Sequence, residues 1–191
     1  MDQNNPKFIV VLGVTGSGKT TIGGELAKRL EFHFCDADDY HPKANKEKMG
    51  CWNPVDSGGL CFVDPLKRFP LIISPYSDSD RLPWLQTLAQ LPKKHSKLVL
   101  ACSALKEHYR SILVGNVVAG SFRYVFLDVP TDELKQRLVS RQGHYMKVDM
   151  LESQLATLER PRDDQPEYVI VGCAGKDLSD VVEVIVQRLQ L

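Results

Sequence analysis

Residues 7–12 read KFIVVL, a short apolar run rich in β-branched side chains and bounded by Pro6 and Gly13. That is the form of a parallel strand buried on both faces. After a glycine-rich stretch, TIGGELAKRL sets Ile22, Leu26 and Leu30 at helical spacing. Residues 31–36 form a second short strand that ends in acidic residues, and 42–49 a polar helix with Pro42 in its first turn. Further on, 97–101, 123–127 and 168–171 read as strands. Residues 81–91, 105–114, 131–140, 150–159 and 177–189 read as helices, with Thr131 as the N-cap of the third. Strands alternating with helices predict one α/β domain, a central parallel sheet of about five strands with helices on both faces.

Residues 51–73, CWNPVDSGGLCFVDPLKRFPLII, break this pattern. They hold three prolines and show neither period over a useful length. A structureless loop of this size is uncommon in a compact domain, and the stretch is too apolar for a disordered linker.

The chain has 191 residues, of which 43% are hydrophobic and 25% charged, enough to bury a core in one domain. Lys+Arg and Asp+Glu are 24 each, so the net charge is +0. No basic field invites nucleic acid or an anionic membrane surface. No apolar run is long enough to span a bilayer, and residues 1–6 carry neither a basic nor an apolar leader region. Five cysteines (Cys35, Cys51, Cys61, Cys102, Cys173) lie scattered with no C-x-x-C spacing. This fits reduced thiols in a cytoplasmic protein, not a disulfide framework or a zinc site.

Gly13-Val14-Thr15-Gly16-Ser17-Gly18-Lys19-Thr20 matches G-x-x-x-x-G-K-[ST] in full, between a strand and a helix. Glycines there let backbone amides curl round a polyphosphate, and the helix N-terminus adds partial positive charge. Lys19 reaches toward the β- and γ-phosphates and the Thr20 hydroxyl suits Mg²⁺. All of Gly13 to Thr20, with Thr21 after them, are expected to bind the nucleotide. The motif predicts a nucleoside triphosphate but not a reaction, since motors, switches, ATPases and small-molecule kinases share it.

The next chemical signal is Cys35-Asp36-Ala37-Asp38-Asp39-Tyr40-His41-Pro42. In a parallel sheet the C-terminal strand ends face the ligand. Two aspartates two apart at such an end suit two roles, one on the metal and one accepting a proton from a substrate hydroxyl. A solvated acidic loop capping the next helix is the competing reading. Lys106 and Arg110, four apart after the third strand, are expected to share one helix face, as are Arg137 and Arg141.

GVTGSGKTT, FCDADDYHPKANKEKMG, DSDRLPWL, LVLACSALKEHYR, RLVSRQGHYM and the run at 150–159, in that order, resemble the gluconokinase family over nearly the whole chain outside 51–73. The resemblance implies a P-loop kinase fold similar to shikimate and adenylate kinases. It implies ATP with Mg²⁺ as cofactors and D-gluconate as the acceptor, giving 6-phosphogluconate. It makes Asp38 the candidate base and a substrate ligand, and puts Asp36 with Thr20 on the metal. His41, Arg81, Lys106, Arg110, His144 and Gln154 are assigned to substrate, with Ser103 beside them; the transferring phosphate is the other reading for Lys106 and Arg110, and the nucleotide for His144 and Gln154. Arg137 and Arg141 stabilise the transferring phosphoryl group from a lid at about 137–150. A homodimer is compatible with the family. The alternatives are a related kinase of shikimate type, or a nucleotide-binding chain that no longer catalyses.

The departure is at 51–73, about 23 residues more than the family has between the acidic pair and Arg81. It reads as an insertion, with the composition of a retained intron or alternative splice product, a lid extension being the other reading. Loop closure entropy grows slowly, so fold and nucleotide binding are expected to survive it, with gluconate affinity impaired.

Overall fold

The computed structural model describes residues 5–41, 78–140 and 146–190. The 51–73 stretch, the helix expected at 42–49, Arg141 and His144 lie outside the described residues, as does much of the expected lid.

Five parallel strands form one sheet in the order β2-β3-β1-β4-β5. They are β1 (Phe8–Leu12), β2 (His33–Asp36), β3 (Leu98–Ala101), β4 (Phe122–Asp128) and β5 (Tyr168–Gly172). The helices are α1 (Lys19–Leu30), α2 (Asp78–Leu88), α3 (Leu91–Lys94), α4 (Glu107–Val114), α5 (Thr131–Ser140), α6 (Met146–Thr157) and α7 (Leu178–Leu189), with a 3-10 turn at Ala37–Tyr40. The sequence pattern thus finds all five strands. Its helix at 81–91 divides into α2 and α3. Thr131 is the first helical residue and not the cap, because the Leu134 N–H bonds the Pro130 carbonyl at 3.0 Å.

Every residue of β1 is buried, which is why it reads as an unbroken apolar run. Its side chains still alternate between two cores. Ile9 and Val11 join Val99, Val125 and Leu127 on the face covered by Leu26 of α1, Leu134 of α5, Leu151 of α6 and Ile185 of α7. Phe8, Val10 and Leu12 join Leu98, Leu100 and Phe126 on the other, under Leu85 and Leu88 of α2 and Tyr109 and Leu113 of α4. Both faces are therefore closed by helices, as the alternating pattern requires.

β1 pairs with β3 on one side and β4 on the other. The chain leaves β1 for α1 and returns to the far side of β3 as β2. The strand order reverses beside β1, and the crevice above such a reversal is where open α/β sheets hold ligands. The loops after β1, β2 and β3 all open onto it.

Candidate active site

The loop after β1 takes the shape its glycines allow. Gly16 and Gly18 have φ of 79° and 93°, left-handed values that L side chains rarely adopt. A Cβ on Gly13 would stand 2.6 Å from the Ser17 Oγ. The Ser17 hydroxyl is buried and has no hydrogen-bond partner among the described residues. A backbone cradle too tight for a Cβ, with an unmatched hydroxyl inside it, fits a polyphosphate.

Lys19, the first residue of α1, folds back so that its Nζ donates to the Val14 carbonyl at 2.9 Å. Burial pushes its ammonium below the usual lysine range, and the carboxylates of Asp38 and Asp36 pull it partly back. Cys102, just past β3, is buried beside it, and burial raises that thiol to about 12. The Cys102 thiol is therefore neutral beside Lys19.

The Thr20 hydroxyl donates to Asp36 Oδ2 at 2.7 Å. The other oxygen of Asp36 accepts the Asp38 N–H at 3.0 Å and so caps the 3-10 turn. One carboxylate thus fixes both the α1 hydroxyl and the turn that carries Asp38. Hydroxyl plus carboxylate is an all-oxygen set that suits a hard divalent cation keeping several waters. The Asp38 side chain is 89% exposed, with its carboxylate 3.8 Å from Nε2 of His41. His41 stacks on Trp84 at 4.1 Å, and the Trp84 indole N–H bonds the Ala37 carbonyl at 3.0 Å. Trp84, which the sequence reading assigns to no site, thereby ties α2 to the acidic turn.

The acceptor side is arranged differently from the expectation. Lys106 and Arg110 do not share a face. Lys106 precedes α4 and bonds both oxygens of Asp78 at 2.8 and 2.9 Å. The Tyr109 hydroxyl also donates to Asp78, and the Arg81 guanidinium lies 5.8 Å from the centre of the Tyr109 ring. Those two hydrogen bonds, Lys106 first, hold the Asp78 carboxyl below the usual carboxylate range. Arg110 is instead 1% exposed. Its guanidinium bonds the carbonyls of Ala104 at 3.0 Å, Leu105 at 2.9 Å and Glu159, besides Glu107 and the Tyr168 hydroxyl at 3.1 Å each. Ala104 carries a left-handed φ of 34°. Arg110 therefore clamps the strained turn after β3 and does not face a substrate.

Of the two readings for Gln154, the structure favours the nucleotide side. The Gln154 Oε1 accepts the Thr15 N–H at 2.7 Å, so α6 buttresses the nucleotide loop and not the acceptor pocket. Arg137 is on the same side, donating to the Gly16 carbonyl at 3.4 Å and pairing with Glu133 at 2.6 Å. Asp78, Tyr109 and Glu133 are the polar groups that residue spacing misses. The one available signal for Asp78 was its place two before Asp80-Arg81.

The sequence comparisons agree with this geometry. Over 190 aligned residues the chain is 39% identical to the gluconokinase of Gluconobacter oxydans (strain 621H), covering 97% of this chain and 92% of that one. This chain belongs to the gluconokinase family. The thermosensitive gluconokinase of Escherichia coli (strain K12) is 35% identical over 178 residues, covering 91% of this chain and 82% of that one. A gluconokinase structure from Sinorhizobium meliloti 1021 matches with a TM-score of 0.77 at 32% identity, covering 98% of this chain and 94% of that one. A family profile described as Shikimate kinase matches residues 15–51, the span holding most of the nucleotide loop and the acidic turn. The shikimate kinase of Aquifex aeolicus vf5 matches at 17% identity with a TM-score of 0.51, a likeness of fold alone. What separates the two is sequence identity, 32–39% to these gluconokinases against 17% to the shikimate kinase. The chain is a P-loop kinase.

Proposed function

We propose that this chain transfers the γ-phosphoryl group of ATP to a hydroxyl of D-gluconate, giving 6-phosphogluconate and ADP. The observation that carries the reading is the convergence of Lys19, Thr20, Asp36 and Asp38 at the C-terminal ends of β1 and β2. In the proposed step Asp38 accepts the proton of the acceptor hydroxyl while that oxygen bonds to the γ-phosphorus. The bond from that phosphorus to the β–γ bridging oxygen breaks, and ADP leaves. Lys19 and the loop amides stabilise charge on the phosphates, and Arg137 adds positive charge from α5, with Arg141 and His144 assigned to the same lid. Thr20 and Asp36 would hold Mg²⁺, which when bound neutralises charge on the phosphate oxygens.

A sugar acid needs a cationic partner for its carboxylate. Lys106, Tyr109 and Arg81 already gather around a carboxylate, that of Asp78, beside the acidic turn. The same donor types suit an acid substrate, with His41 next to Asp38 on the hydroxyl chain.

The test is ADP release with ATP and Mg²⁺, with and without D-gluconate, with shikimate as a control acceptor. Release that depends on gluconate and is lost in Asp38→Asn is the expected result. Nucleotide binding with no gluconate-dependent release would overturn the reading.

A further inference from the structure

On the other face of β2 from Asp36, three potential metal ligands meet that the kinase reaction does not use. His33, Cys35 and His95 each offer one ligand atom, and all three atoms lie within 4.8 Å of one another. We propose that they form a site for a borderline divalent transition metal, zinc in the first instance, distinct from the nucleotide-side metal.

The backbone fixes all three positions. His33 and Cys35 are two apart on β2, so their side chains leave the same face of the sheet. His95 caps the C-terminus of α3, three residues before β3, which pairs with β2 in the register His33↔Leu98 and Cys35↔Leu100. The His33 N–H bonds the Lys97 carbonyl at 3.1 Å, tying β2 to the segment carrying His95. Among the described residues β2 is an edge strand, and the exposed His33 opens the cluster to solvent. His33 is exposed, His95 half-buried and Cys35 buried.

The two imidazoles stack with ring centres 3.8 Å apart and planes 5° from parallel. Two stacked imidazolium ions would repel. Burial, with His33 and Lys94 nearby, pushes His95 below its ordinary range, toward the neutral form that binds metals. Bonds of about 2.0–2.1 Å to nitrogen and about 2.3 Å to sulfur require the ligand atoms to draw slightly closer. Rotation of the two imidazoles about their side-chain bonds supplies this without moving the strand. Cys35 Sγ lies 3.3 Å from the Tyr40 hydroxyl. On metal binding the thiol loses its proton to solvent, and the Tyr40 O–H is placed to donate to the resulting thiolate. Two nitrogens and one sulfur favour zinc over magnesium, and a water completes four ligands. Spacing alone excluded such a site because its signal is only H-x-C, with the third ligand brought in by the sheet.

Cobalt(II) is the probe, titrated into the full chain with Mg²⁺-ATP present to occupy the nucleotide site. The expected result is one equivalent bound, with a thiolate-to-cobalt charge-transfer absorption that zinc abolishes by displacement. His33→Gln and His95→Gln, both near the surface, should each weaken binding at least about tenfold and leave gluconate-dependent turnover unchanged. Cys35→Ser should remove the absorption. No such absorption in the parent chain overturns the proposal. So does an absorption that survives both histidine substitutions, which would place the metal on another cysteine. Binding lost in Asp36→Asn but kept in His33→Gln would overturn it as well.

Discussion

The nucleotide side and the acceptor side of this crevice are built on different principles. On the nucleotide side the ligand groups run consecutively from Gly13 to Thr21, and their shape is a property of the backbone. On the acceptor side Asp78, Arg81, Lys106 and Tyr109 come from separated elements, and each is positioned by another side chain. The first can be read from nine residues. The second exists only once α2 has packed on α4. Four-residue spacing put Lys106 and Arg110 on one face, yet one ends at the surface and the other in the core. What decided it was the unmet carbonyls at Ala104, Leu105 and Glu159, which spacing cannot register.

The largest effect should come where the two sides meet. Asp38→Asn is expected to lower kcat by about 10²–10⁴. Because the carboxylate is 89% exposed, thermal stability and ATP affinity should change little. Steady-state ADP release alongside a melting curve checks both. A comparable loss of stability would make Asp38 a structural residue and join the two sides into one folding unit.

Next, Arg110→Met should destabilise the fold by about 3–5 kcal/mol, since it orphans several buried acceptors together. Urea unfolding reads this directly. If Arg110→Met instead kept its stability and raised KM for gluconate, Arg110 would belong to substrate after all.

The same contrast explains what was legible in the sequence. All five strands were, because β1, β3 and β4 are buried on both faces and read as apolar runs between turn residues. The loop and the Asp36–Asp38 turn were, because their chemistry is local to one strand end. Gln154 was visible as a family residue but not as a buttress, since its partner, the Thr15 amide, is 139 positions away. Trp84 read as one more core aromatic. Its indole N–H on Ala37 and its stack with His41 depend on where α2 lands.

Lys106→Met is the acceptor-side counterpart of Arg110→Met. Its partner Asp78 is more than half exposed, and an exposed ion pair adds little to stability. Unfolding should therefore be nearly unchanged, while KM for gluconate rises by roughly tenfold, the scale of one charge-assisted hydrogen bond. The KM for ATP should stay where it is. A rise in both would mean that Lys106 serves the phosphates, and the two sides would share a residue.

The smallest effect sharpens the nucleotide side alone. In the free protein Lys19 titrates below its ordinary value because burial disfavours its charge. A bound polyphosphate favours that charge and raises the value again. Binding therefore takes up a proton between the two. ATP affinity should be flat below the free-protein pKa of Lys19 and fall as pH rises through it, by at most about tenfold per unit. It should level off above the bound-state pKa, where the lysine is neutral in both forms. Calorimetry in two buffers of different ionisation enthalpy measures the proton uptake, and Lys19→Met should abolish it while Lys106→Met should not. An uptake that vanished in Lys106→Met instead would assign the proton to the acceptor side.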